Sequence, residues 1–336
     1  MARLFLMGAC LLFASLPFAA AAGPFEDDVD AAIADGVRWL RDQQAFTGEA
    51  LDLSQARGLA LLVLVESMPG SYAAADAGDQ ALAREAVQRI LTNPDVGVPR
   101  AFYVYFHAVN LLGLSAYIRA GGPEIDGAPF TLRGALEKLT DETLAAQSLD
   151  GATAGFWGYV GPGNDSSATQ YAAAALAAAR GTFRAMGDAA ALARVDAIDA
   201  SLALTALGYA AHPEPDGGMK YRFDAFYHSS FQQTAASLWC QLLGGMTLAD
   251  PTAQGAMRWL ADRYNYSTSE GYRDFWRVSY AYYLWTSAKA YLLVEQGAGG
   301  AAPGDVGPAD LGLLPANPAP NATFGDVGRL VRREPG

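Results

Sequence analysis

Three aspartates, Asp165, Asp224 and Asp274, stand near the predicted starts of apolar helices. Two carboxylates facing across a cleft are enough for glycoside cleavage, one serving as acid and the other as base or nucleophile. Tyrosine and tryptophan beside them would stack a sugar ring. Asp165 opens the run Asp165-Ser166-Ser167-Ala168-Thr169-Gln170-Tyr171, and an Asp at that place is also an ordinary helix N-cap. Asp224-Ala225-Phe226-Tyr227-His228-Ser229 leads into a helix in the same way. Taken together, Trp157, Asp165, Ser167, Gln170, Tyr221, Asp224, Tyr227, His228 and Gln232 are the expected ligand-binding set, gathered on one rim.

Other chemistries lack their residues. Only three histidines occur, His107, His212 and His228. No Gly-x-Ser-x-Gly elbow marks a serine hydrolase, and no glycine-rich loop ends in the Lys-Ser/Thr of a phosphate loop. The chain carries 23 Lys+Arg against 35 Asp+Glu, a formal net charge of −12. That balance repels phosphate backbones, so nucleic acid is not an expected partner. No metal or cofactor is expected. The expected partners are an apolar small molecule, a glycan, or a protein or peptide.

The elements that must position these residues are helices. Apolar residues recur at helical spacing, and β-branched runs are scarce. Amphipathic helices are predicted near Asp27–Gln44, Asp79–Leu91, Thr131–Gln147, Ala189–Ala211 and Pro251–Tyr264. Each precedes a helix that is apolar nearly all round, near Leu51–Glu66, Pro99–Ala120, Asp165–Met186, Ser229–Leu243 and Asp274–Gln296. Repetition of this pair is the main organising feature of the chain. A polar helix alternating with an apolar one predicts an inner ring wrapped by an outer ring. The inner helices would then point their N-terminal amides at one rim.

The turns between helices carry a resemblance. Gln147-Ser148-Leu149-Asp150-Gly151 runs into Gly155-Phe156-Trp157-Gly158-Tyr159, and Pro215-Asp216-Gly217-Gly218-Met219-Lys220-Tyr221 occupies the next such turn. A Gln near a helix end can bond the free carbonyls there, and an aromatic after Gly can cover the turn. In these residues the chain resembles the squalene cyclase and protein prenyltransferase repeat superfamily over about residues 30–295. The resemblance implies an all-α, α/α toroid of about five to six helix pairs over residues 23–296. It also implies where catalysis would sit, and there the residues differ. Aligned on Thr169, Asp165 matches the first Asp of the cyclases' Asp-x-Asp-Asp acid, but Ser167 and Ala168 replace the other two. In the prenyltransferase zinc set, Asp165 and His228 match, while Ser167 stands where a thiolate would bind. The resemblance therefore implies a binding scaffold without either chemistry. An enzyme of the same fold acting on an isoprenoid or a glycan is the alternative.

The two ends read differently from the middle. Arg3, the apolar run 4–18 and Ala19-Ala20-Ala21-Ala22 predict a secretory signal peptide over 1–22. The protein is therefore expected to be exported, periplasmic or extracellular, with no stable membrane insertion after the signal is removed. Residues 297–336 are rich in Gly, Pro and Ala and predict a flexible, low-complexity tail.

Overall fold

The computed structural model describes residues 24–42, 57–92, 103–224, 228–263 and 280–297. The predicted signal peptide, the tail beyond Gly297, Tyr227 and Asp274 lie outside the described residues. Every regular element within them is helical, and the only β-like pairing is an isolated bridge between Trp157 and Pro162.

The ten helices expected from periodicity all form. They are α1 (Pro24–Asp42), α2 (Arg57–Glu66), α3 (Ala77–Thr92), α4 (Tyr103–Arg119), α5 (Leu132–Ala145), α6 (Ser166–Met186), α7 (Ala189–Ala210), α8 (Phe231–Leu243), α9 (Pro251–Arg263) and α10 (Tyr280–Gly297). The starts of α5 to α8 follow from short polar side chains that satisfy first-turn amides. Thr131 accepts from the Gly134 amide at 3.0 Å and opens α5. Ser230 accepts from the Gln233 amide at 3.3 Å and opens α8.

Asp188 opens α7 by accepting from the amides of Ala190 and Ala191, both at 3.1 Å. The Arg133 guanidinium grips the same carboxylate at 2.7 and 3.0 Å. These bonds hold the Asp188 carboxyl down at about 2. A depressed carboxyl stabilises the fold above its unfolded value of about 3.9, and the effect is lost as pH falls through about 2. Asp188→Asn is therefore expected to flatten the fall of the denaturation midpoint between about pH 4 and pH 2. An unchanged slope would show that this cap and clamp are not felt.

The even-numbered helices pack in series, α2 on α4, α4 on α6, α6 on α8 and α8 on α10, with α3, α5, α7 and α9 laid against them. The pattern of side chains explains the order. Helix α4 buries Val104, Phe106, Leu111, Leu112 and Leu114, and α6 buries an unbroken alanine run, Ala172–Ala175. Small side chains on α6 let its neighbours come close on every side, as ridges meeting shallow grooves. Helices α2 and α4 meet backbone to backbone. A Cβ on Gly58 would run into the Val109 carbonyl and meet the Asn110 nitrogen at 2.6 Å, and Gly113 faces Gly58 in return. An ion pair joins α10 to the end of α2, Lys289 to Glu66 at 3.7 Å. By contrast α1 is mostly exposed: Val37 is buried, while Ile33 and Trp39 face solvent. Among the described residues no helix is long and apolar enough to cross a membrane.

Candidate functional site: a carboxylate ringed by tyrosines

The turn from α5 to α6 is built around Gln147. Its buried amide donates to the Gly155 carbonyl at 3.2 Å, the Ser201 carbonyl at 3.0 Å and Thr205 Oγ1 at 3.0 Å. Its oxygen accepts from the Ser201 hydroxyl at 2.7 Å. This fills every place on the side chain that a buried amide must fill. Gly155 has φ +90° and abuts the α7 backbone at Leu204, so only glycine fits. Phe156 and Trp157 then plunge into the core, both fully buried, and the Trp157 indole donates to the Thr143 carbonyl at 2.7 Å.

The same clasp occurs in two consecutive turns. The Asp165 amide donates to the Trp157 carbonyl at 2.9 Å, and the Trp157 amide donates to Thr169 Oγ1 at 3.0 Å. One repeat later the Ser230 amide donates to the Met219 carbonyl at 3.0 Å, and the Met219 amide donates to Thr234 Oγ1 at 2.9 Å. Trp157 thus corresponds to Met219, Asp165 to Ser230 and Thr169 to Thr234. Two residues beyond each clasp, a tyrosine carbonyl caps the preceding even-numbered helix. Tyr159 accepts from the Val104 amide at 3.0 Å, and Tyr221 accepts from the Ser166 amide at 3.1 Å. These two first-turn amides, expected to face the rim, are therefore taken by backbone.

The two capping tyrosines meet, hydroxyl to hydroxyl, at 2.5 Å. From there the bonds lead to Asp165. Its Oδ1 accepts from the Ala168 amide at 2.8 Å and from the Ser167 hydroxyl at 2.7 Å, and its carboxyl also takes the Tyr221 hydroxyl. With Tyr221 donating to Asp165, Tyr159 must donate to Tyr221. On the other side the Tyr105 hydroxyl donates to Ser167. Two hydroxyl chains thus end on one carboxylate, which is 4% exposed. Burial raises the Asp165 carboxyl above the usual range, and the bonds from Tyr221, Ala168 and Ser167 oppose that rise.

Aromatic rings extend from this point across α4, α6 and α10. Tyr105 stacks on Tyr159 at 5.4 Å and tilts against Tyr171 at 5.0 Å. Tyr171 stacks on Trp285 at 5.3 Å, and Trp285 meets Trp239 edge-on at 5.3 Å. Burial pushes the Tyr105 and Tyr282 hydroxyls well up and the Tyr171 hydroxyl up to about 12. Nevertheless, Tyr105, Tyr171, Tyr282 and Trp285 each keep part of their surface open to solvent.

The structure brings together some of the expected set and separates the rest. Asp165, Ser167 and Tyr221 are in direct contact. Gln170, one turn further on, is fully buried and stapled to α10 through Thr286 at 3.0 Å and the Tyr282 hydroxyl. Trp157 is a core residue behind the clasp, and Gln232 is buried. Asp224 is exposed and paired with Arg222 at 2.9 Å, which also donates to Asn164 at 3.0 Å. His228 is exposed. Among the described residues no three His, Cys, Asp or Glu side chains gather closely enough to hold a metal. Cys240, the free thiol, is buried and pushed well up by that burial. Sequence reasoning missed Tyr105 altogether. Its one signal was the Tyr103-Val104-Tyr105-Phe106 run at the head of a predicted inner helix.

No family model, characterised protein or solved structure matches the chain.

Proposed function

We propose that this protein is an exported, non-catalytic helix-pair toroid that binds a ligand at the tyrosine-ringed carboxylate. The observation that carries the binding reading is the convergence of two hydroxyl chains on Asp165 beside a part-open aromatic wall. Residues from α4, α6, α10 and two separate turns meet there, which packing alone does not require. The serial packing of the even-numbered helices and the Lys289–Glu66 pair support ring closure, in keeping with the resemblance to cyclase and prenyltransferase repeats.

Binding is favoured over turnover by the state of the two candidate acids within the described residues, Asp165 and Asp224. Asp165 accepts three hydrogen bonds, which suit a carboxylate acceptor rather than a proton donor. Asp224 is engaged by Arg222 in the open, where a general acid or nucleophile gains little. A ligand with an apolar body and a polar end fits this wall best, whether an apolar small molecule, a glycan end or a peptide side chain.

Native mass spectrometry of the exported chain, after incubation with lipids, glycans and peptides extracted from the producing cells, tests the reading. A specific adduct is expected on the wild type and its loss is expected on Tyr171→Leu. Absence of any adduct, or an adduct untouched by Tyr171→Leu, would overturn it.

A further inference from the structure

From α3 onward each odd-numbered helix lies against the even-numbered helix before it: α3 on α2, α5 on α4, α7 on α6 and α9 on α8. Helix α9 shows what that seat does for its side chains. Ala253, Ala256, Met257, Trp259 and Leu260 are all buried there. Trp259 meets Phe231, the first residue of α8, at 5.3 Å, and its indole donates to Asp216 at 2.8 Å. Helix α1 carries the same pattern. Gly36-Val37-Arg38-Trp39-Leu40 repeats Ala256-Met257-Arg258-Trp259-Leu260, and Ile33 falls at the place of Ala253. The outcome differs. Val37 is buried, but Trp39 is 57% exposed where Trp259 is 1%, and Ile33 is 48% exposed where Ala253 is fully buried. Helix α1 is nonetheless tied to its own chain, because Arg41 pairs with Asp79 of α3. It packs on α2, the helix after it, and leaves bare the stripe that α9 buries.

Helix α10 is the matching case. It packs on α8, and Lys289 joins it to Glu66 of α2, so the inner layer is continuous. The outer layer is not, since among the described residues no odd-numbered helix packs on α10 as α9 packs on α8. Leu284 is 38% exposed, and Ala288, one turn on, is exposed as well. Among the described residues eight large hydrophobics stand exposed, and four of them, Ile33, Trp39, Val63 and Leu284, lie on α1, α2 and α10. These are the two ends of the series. Repeat arrays that stay single end in polar faces, whereas these ends are apolar. A helix without its seat and a seat without its helix are complementary surfaces on one chain.

We propose that α1 of one copy docks on α10 of a second copy, as α9 docks on α8 within the chain. Helices α8 and α9 run antiparallel, with Trp259 by Phe231 and Thr252 by Gln241. The same register brings Trp39 to the head of α10 near Leu284, and Ile33 towards Ala288. The contact closes as a dimer where it is reciprocal and continues head-to-tail where it is not.

Sedimentation velocity of the exported chain from about 1 to about 100 μM tests the docking. The mass is expected to rise from monomer to dimer or beyond. Trp39→Asp, at an exposed position, is expected to stay monomeric with unchanged helical circular dichroism. Crosslinking identifies the surfaces. A chain with Ile33→Cys and another with Ala288→Cys are mixed and treated with a short bis-maleimide, while Cys240 is buried and does not compete. A peptide joining α1 of one chain to α10 of the other is expected by mass spectrometry, and its loss is expected when the first chain also carries Trp39→Asp. A wild type that stays monomeric at about 100 μM overturns the inference. So does assembly that Trp39→Asp leaves intact. A chain carrying both cysteines that links only within itself overturns it too, because α1 then sits on its own α10.

Discussion

Gly58→Ala is expected to destabilise the protein by about 3 kcal/mol or more, at the upper end of what overpacking costs. The added methyl would overlap the Val109 carbonyl on α4 and sit 2.6 Å from the Asn110 nitrogen. Neither atom can swing aside, because both belong to helix backbone. Moving α2 outward instead would open the contact at Gly113, which faces Gly58 across the same gap. The control is Gly36→Ala on α1, where nothing lies within 4 Å of the added carbon. There the helix gains about 0.5–1 kcal/mol, as expected for Gly to Ala in an exposed helix. The same chemical change thus has opposite signs at two sites, read as urea midpoints. Equal midpoints for the two variants would mean that α2 and α4 do not touch backbone to backbone.

Trp157→Ala is expected to cost about 3–5 kcal/mol, the range for removing a large buried aromatic. Two losses combine. The indole volume disappears from a fully buried position, and the Thr143 carbonyl loses the donor that reaches it at 2.7 Å. Trp157→Phe separates them, since it keeps most of the ring and drops only the N–H. It is expected to cost about 0.5–1.5 kcal/mol, the net worth of one hydrogen bond, because the Thr143 carbonyl still accepts from the Ala146 amide at 3.3 Å. Because Trp157 is clasped between the Asp165 amide and Thr169, the Ala variant should also loosen the site. Tyrosine fluorescence would report that loosening. A Trp157→Ala protein as stable as the wild type would mean that the clasp does not depend on the indole.

The helices were legible because their signal is local. Periodicity from Ala189 to Ala211 gave α7 to within one residue, and Asp165 before an apolar run gave the cap of α6, whereas the cap of α8 falls on Ser230, one residue past the predicted start at Ser229. The aromatic wall was only half legible. The motif around Asp165 marked the right place, yet the hydroxyl of Tyr105 reaches Ser167 over 62 residues and that of Tyr282 reaches Gln170 over 112. No spacing rule connects such pairs before the repeats are stacked. Trp157 shows the converse. Its position in the turn was clear, but whether its ring turned to a ligand or to the core depended on a carbonyl at Thr143 that only packing brings near. Gly58 and Gly113 looked like any other helix glycines, and their role exists only across the gap between two helices.

The carbonyls of Tyr159 and Tyr221 carry a consequence for how the chain acquires its structure as it is made. Each caps a helix that belongs to the repeat before its own, α4 through Val104 and α6 through Ser166. These two helix pairs are therefore not finished by their own residues. During synthesis α4 must wait for the turn after α5, and α6 for the turn after α7, before their first amides are satisfied. In these two places order passes backwards along the chain, the later turn completing the first turn of the earlier helix.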